Sequence, residues 1–354
     1  VVHIVRRYGL VGGMESYVWE LTHALVKLGI NIEVVCEKVF DTPDPAIQIH
    51  MVKADKSSSR WRAMQGFRVR TNEVIRKSFA DQNTIIHSHE RCINHHVSTF
   101  HGPPMEPKTE WWRFSGLSRR INAWKAMEKD EVLGSRTQVI LPVSGKIHDQ
   151  LIRRYPKLAD KHLAIAYPGV HETEYRPRAY RNNKKTKGNF VFVGKEWKRK
   201  GLRYAIKVIE SYASQFDDCT LDVYGPLESE LPSSIKQHPK TNIKGWSQEI
   251  PWKEYDALIH PATNEPFGMV VPEARAHGIP VLTTDVVGSA ELEFDGVITL
   301  ELYNSSEIWA QKLHNLKTKT SNLQREIKWT WKNLALQHLN EIYPLVVFPE
   351  NQND

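Results

Sequence analysis

Cysteine is scarce: Cys36, Cys92 and Cys219 are the only three in 354 residues. Their wide spacing supplies neither a disulfide framework nor a zinc-type cysteine pair, and a reducing cytosol is the expectation. Apolar runs such as Val139–Val143 and Tyr343–Phe348 are far shorter than the roughly 18 residues of a membrane-spanning helix, and Pro142 and Pro344 interrupt them. The sequence has no cationic segment followed by an apolar stretch and cleavage site, so no secretory leader is expected. Repeats and low-complexity tracts are also lacking. With 40% hydrophobic and 25% charged residues, the composition excludes disorder and fibrous architectures. At roughly 100 to 200 residues per domain, the length predicts two domains.

The net charge of +7 is unevenly placed: residues 1 to 180 hold 27 Lys/Arg against 19 Asp/Glu, whereas residues 181 to 354 hold 21 against 22. A basic first half calls for an anionic partner, whether nucleic acid, an anionic membrane face or a phosphorylated substrate. Two segments interleave aromatics with cations. The first holds Trp61, Met64, Phe67, Val74 and Ile75 among Arg60, Arg62, Arg68, Arg70, Arg76 and Lys77. The second holds Trp111, Trp112, Phe114, Leu117, Ile121 and Trp124 among Arg113, Arg119, Arg120 and Lys125. Rings at headgroup level beside charges on lipid phosphates would suit an anionic inner-membrane surface.

Periodicity predicts an α/β chain. Val1–Val5 reads as a strand, followed by a glycine loop (Gly9, Gly12, Gly13), a helix to Gly29 and a second strand over 30–36, the opening of a doubly wound parallel sheet. Further strands are expected at 84–87 and 138–143. A second series begins after the lysine-rich stretch 176–188, with strands at 190–193, 220–224, 242–244, 257–260 and 281–283, and helices at 202–215 and 272–277. Residues 306 to 342 read as helical throughout.

The most specific signal is Asn264-Glu265-Pro266-Phe267-Gly268-Met269-Val270-Val271-Pro272-Glu273-Ala274. Two glutamates flank a loop-to-helix turn in which Gly268 permits close backbone approach and Pro272 suits a helix's first turn. The N–H groups of residues 268 to 271 are thereby expected to form an anion site. Carboxylates on either side of such a terminus match a nucleoside diphosphate sugar, with hydroxyls at both ends and phosphates between.

This segment resembles the E-x7-E signature of retaining glycosyltransferases of family 4, which have the two-domain GT-B fold. Gly12-Gly13-Met14-Glu15 is similar to the family's first glycine loop, Phe100-His101-Gly102 to its cleft histidine, and Val143-Ser144 to the end of its last N-domain strand. Tyr167-Pro168-Gly169-Val170 is similar to its interdomain passage, and Val193-Gly194-Lys195 to Lys200-Gly201-Leu202 to its basic phosphate loop. Tyr224-Gly225-Pro226 and Gly288-Ser289-Ala290-Glu291 fall where the family has glycine-bearing loops. The resemblance implies two Rossmann-like domains facing across a cleft: an acceptor-binding domain over 1–170, a nucleotide-sugar domain over 171–330, and a C-terminal helix and tail (331–354) returning to the first. It implies that Glu273 bonds the ribose hydroxyls and Glu265 the donor sugar, with the backbone of Phe267, Gly268, Met269 and Val270 between them. Lys195, Lys200 and Gly194 then hold the diphosphate and stabilise the leaving group, Gly13 lies in the first loop, and His101 sits beside the transferring sugar. Position 195 is usually arginine; here it is lysine, and Arg199 is expected to compensate. Trp246 falls where the nucleobase packs. No Asp-x-Asp diphosphate motif occurs, so neither metal nor other cofactor is expected. Bacterial lipopolysaccharide or cell-surface glycan synthesis, by a peripheral enzyme at the inner face of the cytoplasmic membrane, is the implied setting.

Three rivals come from other classes. A nicotinamide dehydrogenase would need G-x-G-x-x-G where the chain has Gly9-Leu10-Val11-Gly12-Gly13. A nucleic-acid binder would exploit the basic half, but no binding motif accompanies the charge. A GT-B nucleotide-sugar epimerase would consume donor without an acceptor.

Overall fold

The computed structural model describes residues 1–54, 59–79, 83–105, 118–171, 187–247, 249–319 and 328–348. The expected interfacial residues Trp111, Trp112, Arg113, Phe114 and Leu117, and most of the lysine-rich stretch 176–188, lie outside them. The chain divides into two compact units, Val1–Gly169 with Trp329–Asp354, and Val170–Lys328.

The first unit contains β1 (Val2–Ile4), β2 (Arg7–Tyr8), β3 (Ile32–Cys36), β4 (Lys38–Val39), β5 (Ile47–Met51), β6 (Ile86–Ser88), β7 (Val97–Phe100), β8 (Val139–Pro142) and β9 (His162–Leu163). Seven of them form one sheet in the order β5-β3-β1-β6-β7-β8-β9, while β2 and β4 pair separately. All pairings are parallel, with Val2 opposite both Glu33 and Ile86. Helices cover both faces of such a sheet, so its central strands read as continuous apolar runs. β1, β6, β7 and β8 are buried at every position. The helix Gly13–Lys27 follows Gly12 at its N-cap, with Glu15 in its first turn and Lys27 in its last, matching the helix dipole.

In the helix Arg60–Ser78, Met64, Phe67 and Ile75 are buried with Val2, Ile4 and Met127, and Trp61, Val74 and Trp124 pack against that cluster. Met64, Phe67 and Ile75 thus belong to the core rather than to an exposed apolar face, whereas Trp61, Val74 and Trp124 are half-buried against it. Arg68 pairs with Asp130 at 2.7 Å and Arg70 with Glu37 at 3.1 Å. Arg60, Arg62, Arg76, Lys77, Arg119 and Arg120 are exposed.

The second unit holds β10 (Gly188–Val193), β11 (Cys219–Tyr224), β12 (Thr241–Gly245), β13 (Ala257–His260), β14 (Val281–Thr284) and β15 (Val297–Leu300) in the parallel order β12-β11-β10-β13-β14-β15. The alternation of β10 divides the core. Phe190 and Phe192 face the helices Leu202–Gln215 and Ser306–Lys319, whereas Val191 packs with Val270, Val271 and Ala274.

The predicted helix over 306–342 is interrupted. Ser306–Lys319 is helical, Lys328 and Trp329 are not, and a new helix, Trp331–Gln337, begins where Thr330 Oγ1 accepts the Asn333 N–H at 3.1 Å. The Thr330 cap satisfies an orphan donor at the start of this helix. This final segment belongs to the first unit: Gln337 donates to the Ile165 carbonyl at 3.1 Å, and Val347 and Gln138 exchange two 2.8 Å bonds. A Cβ on Gly169 would strike the backbone of Trp331, so this passage requires glycine.

Candidate functional site

In the second unit, the loop after β10 and the loop after β13 converge at the strands' carboxyl ends, where α/β sheets place ligands. The first turns tightly: Lys200 N–H donates to Glu196 O at 3.0 Å and Leu202 N–H to Trp197 O at 3.0 Å. Gly201 adopts φ +81°, and a Cβ there would strike the Pro261 carbonyl. The Lys200 stem runs directly over Gly194, leaving no room for a side chain at 194.

Glu265 forms a parallel bridge with Val287, and its carbonyl accepts the Gly288 N–H at 3.1 Å. Phe267 O accepts the Ser289 N–H at 2.7 Å, so residues 288 and 289 latch the glutamate loop. Gly268, at φ +89°, has Val287 and Glu265 packed against the place a Cβ would occupy. The helix Val270–Ala276 follows, with Pro272 as its third residue. Of the N–H groups expected to form an anion site, that of Val271 is already bonded to Gly268 O at 3.0 Å, so this part of the donor set is smaller than the sequence implies.

Two cations converge on one oxygen. Glu265 Oε2 lies 3.0 Å from the Arg199 guanidinium and 3.1 Å from Lys200 Nζ. Arg199 also binds the Glu196 carboxylate at 2.5 Å and the Asn264 carbonyl at 2.5 Å. Burial works against the Arg199 charge, but Glu265 and Glu196 outweigh it and hold its pKa up. Arg199 is thus engaged by two carboxylates and a backbone carbonyl in this structure. Lys195 is exposed at the start of the loop. Burial raises the Glu273 carboxyl above its ordinary range, while Lys200 and His171 oppose the shift, which places Lys200 within electrostatic reach of both glutamates.

Trp246 follows β12 and is 65% exposed, so its indole is available to a ligand rather than packed in the core. Gly225 donates to Gly245 O at 2.7 Å and lies against the Gly194–Lys195 peptide, connecting that region with the basic loop. Sequence reasoning missed His260. It ends β13 fully buried, with neither ring nitrogen hydrogen-bonded and Nε2 3.9 Å from Glu265 Oε2. Its position at a strand's carboxyl end was the available signal, but the apolar run Ala257–His260 reads as ordinary strand.

In the first unit, Gly13 opens its helix with free space where a Cβ would stand, whereas Gly12 lies against the Glu15 carboxylate. Glu15 is held by Arg7. His101 follows β7; its Nε2 is 3.2 Å from His89 Nδ1, and its ring meets Tyr17 edge-on at 4.9 Å. Burial pushes its pKa down to about 3, so the imidazole is neutral at pH 7. His3, His87 and His89 form a cluster with ligand-type nitrogens within 4.8 Å of one another. Every one of those nitrogens already has a hydrogen-bonding partner among His3, His89, His101, Tyr343 and Thr99. His95 and His96 are engaged elsewhere, with Glu131 O at 3.0 Å and the Ile86 N–H at 3.1 Å.

Comparison with known proteins covers both units. A family model described as Glycosyltransferase Family 4 matches residues 11–174, and one described as Glycosyl transferases group 1 matches residues 187–318. The chain is 24% identical over 333 residues to D-inositol 3-phosphate glycosyltransferase of Arthrobacter sp. (strain FB24), covering 81% of this chain and 77% of that protein. It is 25% identical over 260 residues to the lipopolysaccharide glucosyltransferase WaaG of Escherichia coli (strain K12), covering 67% of each. The crystal structure of WaaG, a glycosyltransferase involved in lipopolysaccharide biosynthesis, superposes with a TM-score of 0.71 at 18% identity, covering 97% of this chain and 96% of that one, a likeness of fold.

Proposed function

We propose that this chain, which belongs to the family-4 glycosyltransferases of the GT-B fold, is a retaining hexosyltransferase. It moves a hexose from a UDP- or GDP-linked donor to a glycan or lipid-linked acceptor of bacterial lipopolysaccharide or surface polysaccharide. The observation that carries this reading is the convergence of Lys200 and Arg199 on Glu265, eight residues before a second, desolvated glutamate, Glu273.

In that reading Glu273 accepts bonds from the ribose hydroxyls, Trp246 offers a face to the base, and Glu265 orients the sugar. Negative charge grows on the departing diphosphate, and Lys200 and Lys195 stabilise it more in the transition state than in the ground state. These fixed cations supply the charge a metal would otherwise bring, which supports metal independence. Glu265, occupied by two cations, suits orientation better than nucleophilic attack, and front-face transfer assisted by the leaving phosphate accounts for retention. Neutral His101 has the donor and acceptor capacity to bond a sugar or acceptor hydroxyl.

The lipopolysaccharide setting draws on the Escherichia coli relative, and an anionic acceptor draws on the basic first half. Thermal-shift and calorimetric screening against UDP, GDP, ADP and their sugar conjugates tests the donor, since a bound ligand raises stability by mass action. NMR of the glycoside then tests retention: an inverted anomeric centre would refute it. Donor isomerised without any acceptor would mark an epimerase.

A further inference from the structure

Beside Glu265, His260 has incomplete bonding. Its side chain is fully buried on β13, both ring nitrogens lack hydrogen-bonding partners, and its Nε2 stands 3.9 Å from Glu265 Oε2. That is outside the range of about 2.7 to 3.2 Å for an N–H···O bond. The same oxygen is meanwhile held by Arg199 at 3.0 Å and by Lys200 at 3.1 Å. A neutral imidazole carries one N–H, and leaving a buried donor unsatisfied is costly, so such a group in a native fold calls for an explanation.

We propose that His260 is a positioning residue for Glu265: when a donor diphosphate draws Lys200 away from that carboxylate, the buried imidazole N–H closes on the vacated oxygen. This rests on the donor reading above. A phosphate competes for the Lys200 ammonium with two or more negative oxygens, and each contact it gains weakens the pair with Glu265. Arg199 cannot follow the phosphate without abandoning Glu196 and the Asn264 carbonyl. The replacement must therefore come from a group already beside the carboxylate, and a movement of about 1 Å brings Nε2 into bonding range. Burial, reinforced by Lys200 and Arg199, keeps His260 uncharged, so it offers a neutral donor that does not compete with Lys200 for the carboxylate in the free protein. β13 carries no other side-chain donor for this task, its remaining residues being Ala257, Leu258 and Ile259.

The test compares the wild type with His260→Leu and His260→Gln, the second keeping an N–H donor near the Nε2 position. Calorimetry measures UDP, GDP and ADP and the matching monophosphates. His260→Leu should melt no lower than the wild type, because it removes an orphaned polar group, yet bind the diphosphate roughly tenfold or more weakly, the size of one hydrogen bond to a charged group. Monophosphate affinity should hold, and His260→Gln should restore the diphosphate. Unchanged diphosphate affinity in His260→Leu, or an equal loss in His260→Gln, overturns the positioning role while the donor reading stands. A wild type that binds none of the three diphosphates refutes the donor reading itself, and this role with it.

Discussion

In the proposed donor reading, Glu273 and Lys200 divide the work of one ligand in ways that separate experimentally. The Glu273 carboxyl is desolvated and its pKa raised, with Lys200 and His171 opposing. Its removal deletes an acceptor already present in the free protein, so Glu273→Ala should weaken nucleoside diphosphate binding by about 1.5 to 3 kcal/mol, as for hydrogen bonds to a charged group. Calorimetry with the free nucleotide reads this directly, and unchanged affinity would refute the ribose assignment. In the same reading Lys200 meets charge that peaks as the diphosphate leaves, so Lys200→Ala should lower kcat by something on the order of 10² to 10³ with a smaller change in binding. A rise in KM alone, with kcat intact, would make Lys200 a binding residue only. The glutamate pair was legible because Gly268 and Pro272 fix a loop-to-helix turn between them. The division between Arg199 and Lys200 was not, because Lys198-Arg199-Lys200 presents the same charge at each position. Only the folded loop decides that Arg199 turns onto Glu196 and Glu265.

The loop between β10 and the helix Leu202–Gln215 acts as a unit, and its glycine is the part most easily tested. The Lys200 stem occupies the place of a Gly194 side chain, so Gly194→Ala must displace it. The clash is with a flexible methylene chain, so stability should change by less than about 1 kcal/mol. Turnover should nonetheless fall by about tenfold or more, as the ammonium moves off its station. Parallel melting curves and initial rates check both halves, and normal turnover would show that Lys200 has an alternative path. At this scale the central strands were readable, since β1, β8, β10 and β13 are apolar runs buried in a parallel sheet. The strands β2, β4, β5, β7, β9 and β15 were not anticipated. β5, β9 and β15 lie at sheet edges, where exposed residues such as Gln48 and Thr299 break the apolar signal, while the buried β7 carries Ser98 and Thr99 between its two apolar residues. The break before Trp331 was hidden because a Thr330 cap is invisible to periodicity inside a long helical pattern.

Across the whole molecule, buried histidines and net positive charge concentrate in the first unit, and each concentration has a measurable consequence. His3, His87, His89, His95 and His338 are all buried there, and desolvation holds every one below its ordinary value, His95 and His338 at about 4. A histidine whose folded pKa is depressed costs stability once the pH falls below the unfolded value near 6.5, because the unfolded chain then binds the proton first. Glu90 and Glu131, raised by burial to about 7 and about 8, act oppositely and lose stability as the pH rises. Histidines outnumber these acids, so acidification from pH 6.5 to 5.5 should lower stability, with the acids offsetting part of the loss. Segment-resolved hydrogen exchange should show residues 1–169 losing protection before residues 187–319; a uniform loss would contradict this accounting.

The surface charge of the same unit leads to a prediction about membranes that the packing has narrowed. Met64, Phe67 and Ile75 are in the core, so the helix Arg60–Ser78 cannot place these residues in a bilayer. Its exposed face carries Arg60, Arg62, Arg76 and Lys77 beside Val69 and Glu73, with Arg119 and Arg120 exposed on the helix Arg119–Leu133. Each cation near an anionic surface contributes about 1 kcal/mol, enough in combination for reversible docking without insertion. Such docking must be salt-sensitive, since the screening length falls from about 10 Å at 0.1 M to about 3 Å at 1 M. Sedimentation with anionic liposomes should therefore carry the protein down at low salt and release it at high salt, with neutral liposomes inert throughout. Binding that survives high salt would require apolar contacts other than the buried ones. Equal, weak binding to both lipids would refute docking and leave the basic surface to serve a phosphorylated acceptor.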